Sequence, residues 1–154
     1  KTLFPYTTLF RSESVIHELL LRILDGGLES SLKVLDEDIE PEEMIKKLVD
    51  VTLTSLDKQG PWALYVLEAA PKLLGTKRFQ QVDEMLIPKV LNKAREKGIK
   101  LRPVHPEMAL FLCIQVIRVS GWSLVKDRGQ KMNREIIARE LTDLLCRYLL
   151  PDTN

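Results

Sequence analysis

The stretch that decides the fold is PEMALFLCIQVIRVS, Pro106 to Ser120. Its β-branched run from Ile114 to Val119 has the composition of a buried strand. Two features favour a helix instead. Pro106 followed by Glu107 is a helix start, with the missing N–H harmless in the first turn and the carboxylate well placed against the dipole. The apolar run is also longer than a strand normally is. Working outward, Ile99 to Val104 reads as a short loop. Before it, Phe79, Val82, Met85, Leu86, Val90, Leu91 and Ala94 form a helical stripe that Thr76 can cap and Gly98 can stop. Pro88 lies inside that stripe and is expected to kink it. After it, a last helix is expected from near Asn133, carrying Ile136, Ile137, Leu141, Leu144, Leu145, Tyr148 and Leu149 up to Pro151.

The earlier part of the chain reads the same way. Ser12 or Ser14 can cap a helix through Val15, Ile16, Leu19, Leu20, Ile23 and Leu24. Gly26-Gly27 softens it, and Leu28, Leu32 and Leu35 continue its stripe, so one long helix is expected. Pro41-Glu42-Glu43 starts the next, with Met44, Ile45, Leu48, Val51, Thr52 and Leu56 on one face and Gly60 at its end. Pro61 opens a further helix through Trp62, Leu64, Tyr65, Val66 and Leu67, closed or bent by Pro71 and Gly75. The count is about six helices with no sheet, an all-α antiparallel bundle; no Asn-Gly or Asp-Gly turn separates alternating segments.

Residues 1–12 stand apart. KTLFPYTTLFRS holds no acidic residue and no regular period. Thr2 to Ser12 resembles the in-frame translation of a sequencing-library adapter, so residues 1–12 are expected to be a non-native leader. The domain proper is then 13–151, with 152–154 as a tail. Without Lys1 and Arg11 the balance is 21 basic against 22 acidic residues, or −1, which gives no basic surplus for a nucleic-acid surface.

Chemistry is sparse. No phosphate loop, H-E-x-x-H or C-x-x-C occurs, so no catalytic residue, metal ligand or cofactor is assigned and an enzyme is not expected. Asp36, Glu37, Asp38 and Glu40 lack the glycine and spacing of a calcium loop and read as a solvated turn. His17 and His105 read as a boundary and a loop residue. Cys113 and Cys146, flanked by apolar residues, read as buried thiols of a reducing cytoplasm. The longest apolar run, Met108 to Ile117, falls short of the ~18 residues that span a bilayer. With charged residues at 29% and hydrophobic at 45%, the chain reads as a cytoplasmic globular domain, not a membrane protein.

Polar groups inside apolar helices are more informative, because burying them requires a partner. Glu68 and Gln115 are such groups. With Trp62, Tyr65, Phe79, Met85, Met108 and Phe111 they are the candidate ligand-pocket residues. The last two helices also carry two apolar faces each, one for the core and one for a partner. Leu110, Cys113, Ile117 and Gly121, with Ile136, Glu140, Leu144 and Tyr148, are the candidate face for a homodimer joined as a four-helix bundle.

In order, SESVIHELLLRIL (Ser12 to Leu24), EPEEMIKKLVDVTL, YVLEAAPKLLG and KAREKGIKLRPVHPEMAL resemble the regulatory part of TetR-like (AcrR-like) bacterial transcriptional regulators, over residues 12–150. The resemblance implies a pocket for a small hydrophobic effector between the middle helices and the first dimerisation helix. It also implies a dimer whose two DNA-binding heads are respaced by the effector, with Pro88 and Gly26-Gly27 as candidate moving parts. The family's helix-turn-helix head has no counterpart here, so DNA contact would belong to the parent protein. A helical interaction module without ligand is the alternative; a solid core would favour it, and an apolar cavity beside Glu68 and Gln115 the regulator.

Overall fold

The computed structural model describes residues 5–57, 77–127 and 133–151, with side chains from Ser14 onward except those of Leu56 and Asp57. These residues form five helices and no strand: α1 Pro5–Asp36, α2 Pro41–Asp57, α3 Lys77–Glu96, α4 Pro106–Asp127 and α5 Arg134–Leu149. The expected helix after Pro61, with Trp62, Tyr65 and Glu68, lies outside the described residues, as do the predicted breaks at Gly60, Pro71 and Gly75 and the cap at Thr76.

Local chemistry explains most boundaries. α2 and α4 open on Pro41 and Pro106 with acidic residues in their first turns. Asn133 caps α5, its side chain accepting from the backbone N–H groups of Glu135 at 2.9 Å and Ile136 at 3.2 Å. α3 ends where Gly98 takes a positive φ of 65°. There the Ile99 N–H reaches the Ala94 carbonyl at 2.8 Å and the Gly98 N–H the Arg95 carbonyl at 3.0 Å, a Schellman pair that closes the helix end. α3 runs unbroken past Pro88, which is exposed.

α1 differs from expectation at its start. It begins at Pro5 rather than at Ser12 or Ser14, so part of the adapter-like string is helical. Proline suits a first helical position, which accounts for the earlier start. As expected, the helix continues through Gly26-Gly27 to Asp36.

The core is organised around α2. Val49 is fully buried and Leu53 2% exposed, and they pack with Leu91 of α3, Leu110 and Cys113 of α4, and Leu141 and Leu145 of α5. Val34 and Leu35 of α1 join Met44 of α2 in a second cluster beside the first. Small residues on the inner row of α4, Ala109, Cys113 and Gly121, are all buried there. Burial pushes the Cys113 thiol up to about 11, which makes it an inert core group.

Long-range polar ties fasten the ends. Lys97 donates to Asp38 at 2.9 Å and to the Ile39 carbonyl at 2.7 Å, joining α3 to the α1–α2 turn. Asp38 is held below the usual carboxylate range by that bond to Lys97. The acidic turn therefore serves as an ion-pairing corner. Arg134 reaches Asp50 of α2 at 2.7 Å, and the Arg102 N–H bonds to the Leu149 carbonyl at 2.8 Å.

By length and composition alone, α4 is apolar enough to cross a membrane, with a mean hydropathy of 1.7, which the run-length reading did not anticipate. Its inner row is packed in the core, and Gln115 and Arg118 are tied to α3.

Two stability changes follow. A Cβ at Gly26 would meet nothing within 4 Å. Gly26→Ala is expected to gain roughly 0.5–1 kcal/mol by helix propensity, seen as a Tm rise of about 2–4 °C in circular dichroism melts. Asn133→Ala is expected to lose about 1 kcal/mol in the same melts by removing the α5 cap.

Candidate functional site

An apolar cavity of about 220 Å³, partly open to its surroundings, lies between the helices. Leu20 and Gly27 of α1, Leu48 of α2, Val82 and Leu86 of α3, and Ile114 of α4 are among the residues that line it. Two hydroxyls on its wall are already satisfied by their own helices. Ser31 donates to the Gly27 carbonyl at 2.9 Å and Thr52 to the Leu48 carbonyl at 2.8 Å. Such a lining offers an occupant dispersion contacts and little hydrogen bonding. Space of this size exceeds the ~150 Å³ at which an apolar cavity already takes up benzene.

One part of the wall is polar. Arg118 of α4 donates through Nη2 to Oδ1 of Asp83 on α3 at 2.6 Å. Gln115 donates to Oδ2 of the same carboxylate at 3.0 Å, and its own Oε1 accepts from Arg118 Nη1 at 3.1 Å. The pair is withdrawn from water: the Asp83 side chain is 7% exposed and that of Arg118 15%. The guanidinium carbon lies 5.1 Å from the centre of the Phe79 ring, and that ring meets Trp122 edge-on with centroids 5.9 Å apart. Outside this wall a groove of about 920 Å³ runs between α3 and α4, bordered by Glu84, Ile87, Phe111 and Val119.

The predicted pocket residues divide. Phe79 lines the cavity. Gln115 and Phe111 face the groove instead. Met85 and Met108 are turned to the surface, at 51% and 59% exposure, and line neither space. Trp62, Tyr65 and Glu68 lie outside the described residues.

On α4, the residues predicted for a dimer face lie on the inner side of the protomer. Leu110, Cys113 and Gly121 are buried within the protomer and Ile117 packs against the same core. The row left outward is Met108, Leu112, Val116 and Val119. Both rows are apolar, so the pattern alone left the helix's rotation open. The smaller residues Ala109, Cys113 and Gly121 are on the buried side. On α5, Ile136, Glu140, Leu144 and Tyr148 are exposed.

Sequence reasoning flagged Gln115 but missed both of its partners. Arg118 did carry a signal, a lone charge in the apolar run of its helix, whereas Asp83 stands beside Glu84 on a highly charged helix and carried none. What was missing was knowledge that the two helices are adjacent. Among the described residues no three metal-ligating side chains gather.

No protein-family model matches the chain, and no curated protein matches it in sequence. A solved structure is similar: PfmR, a TetR family transcriptional regulator from Thermus thermophilus. The two share 20% identity and a TM-score of 0.68, over 92% of this chain and 80% of that one. At that identity the likeness speaks for the fold, and this chain has the helical fold of a TetR family regulator.

Proposed function

We propose that this chain is the effector-binding and dimerisation part of a TetR-like transcriptional regulator, working in the cytoplasm and without catalysis. The observation that carries the reading is the apolar cavity of about 220 Å³ between α1, α2, α3 and α4. A solid core would have favoured a ligand-free interaction module. The effector would be a small, hydrophobic molecule, because the wall offers it dispersion and few free polar groups.

A second copy of the chain would cover the outward row of α4, Met108, Leu112, Val116 and Val119, together with Ile136, Leu144 and Tyr148 of α5. This much exposed apolar surface on two neighbouring helices suits a two-fold four-helix bundle. DNA contact would belong to a helix-turn-helix head of the parent protein, joined through α1. The cavity touches both α1 and α4. An occupant that prefers one spacing of these helices would shift the heads relative to the dimer face by that difference in affinity, and by no more.

Fluorobenzene followed by fluorine NMR tests the sensing half. Saturable binding is expected, and Val82→Phe, which fills the cavity from a buried position, is expected to abolish it while the chain stays folded. Absence of saturable binding by fluorobenzene, indole and naphthalene alike overturns the reading. Light scattering tests the other half: a mass of two copies is expected at micromolar concentration, reduced to one by Val116→Glu. A wild-type chain that is strictly monomeric there sinks the dimer.

A further inference from the structure

The cavity and the groove share three side chains. Phe79, Arg118 and Trp122 line both spaces, so they are the partition between them. Asp83 borders the groove and not the cavity. We propose that Phe79, Arg118 and Trp122 form a gate through which an apolar ligand passes from the α3–α4 groove into the cavity, with Asp83 as the latch that holds this partition in place. The proposal rests on the cavity being a ligand site.

Three physical points carry it. First, an ion pair this withdrawn from water is a poor way to gain stability, since a well-packed apolar pair of similar volume commonly does as well or better. Its presence in a mostly apolar wall suits a use that apolar packing cannot supply. A switchable contact is such a use, because the guanidinium can leave Asp83 for groove water and return.

Second, the parts are connected in series. Asp83 and Gln115 fix the guanidinium from the groove side. The guanidinium in turn lies against Phe79, and Phe79 abuts Trp122. Loosening the first contact removes the support of the ring that stands between the groove and the cavity. Each link is of modest strength: a cation–π contact and an edge-on aromatic pair each contribute only a small multiple of thermal energy.

Third, the outside is fitted for the traffic. Ile87, Phe111 and Val119 give the groove an apolar border leading up to the gate. A molecule that prefers the cavity to water will also concentrate along that border.

A gate changes how fast ligand moves and leaves the two end states alike. Fluorine exchange spectroscopy of fluorobenzene reads uptake and release separately. Asp83→Asn keeps the shape and removes the latch charge; both rates are expected to rise roughly tenfold, with the dissociation constant changed by less than about twofold. Glu84→Trp narrows the groove from an exposed position away from the cavity wall, and both rates are expected to fall severalfold. This variant keeps the test standing if Asp83→Asn does not fold. Rates unmoved by either substitution, in a chain that still binds fluorobenzene, overturn the gate and leave the cavity as a ligand site. A dissociation constant that moves while uptake stays constant makes Asp83 a binding determinant and also overturns the gate. Wild-type chain that takes up no fluorobenzene removes the cavity reading and the gate together.

Discussion

A 22-residue helix that is apolar over most of its circumference has to find apolar surroundings on more than one side. α4 is that helix, and the rest of the molecule is arranged by how it does so. Its inner row carries Ala109, Leu110, Cys113 and Leu124 into the core against α2 and α5. Its outer row, Met108, Leu112, Val116 and Val119, stays at the surface of the protomer. Between them lies a narrow polar edge, Gln115 and Arg118, which meets Asp83 of α3. The core, the exposed face and the wall of the cavity are therefore three sides of one helix.

The polar edge constrains the others. For a guanidinium at 15% exposure the closed pair is the favoured state, since deleting one partner of such a pair costs about 3–5 kcal/mol. While closed, the pair sets the rotation of α4 and its position along its axis against α3. With that register fixed, Ile114 and Ile117 face the cavity and Phe111 faces the groove. A rotation of one residue, about 100° on a helical wheel, would bury Met108's side of the helix and expose Cys113. The ion pair excludes it.

Much of the architecture was legible because it is written in local chemistry. Pro41-Glu42 and Pro106-Glu107 are helix starts in any context, and Asn133 and Gly98 act through their own backbone neighbours. The rotation of α4 was not legible, since two apolar rows on one helix look alike to a pattern. Nor was the partnership of Gln115: its bond to Asp83 spans 32 residues of sequence, and the contact exists only once α3 and α4 are side by side. Of the residues assigned to a pocket from their size and position, Met85 and Met108 turn to the surface and Phe111 borders the groove. Large apolar side chains mark a core, a pocket or an exposed face equally well, and the backbone around them decides which.

The glycine pair in α1 belongs to the same arrangement. Gly26 is exposed and costs helix stability without any packing return. Gly27 is different: it lines the cavity, and a Cβ there would come within 3.5 Å of the Ser55 hydroxyl oxygen, an ordinary contact. A methyl group at 27 is thus tolerated by the fold but takes space from the cavity, whereas one at 26 takes none. The two neighbours therefore separate helix stiffness from cavity volume. If α1 carries the response to an occupant through its softness, an alanine at 26 alone weakens it. If it carries the response through the occupant's contact with the wall, an alanine at 27 does so. In the first case the soft point is a hinge, and in the second α1 moves as a single rod seated on the ligand.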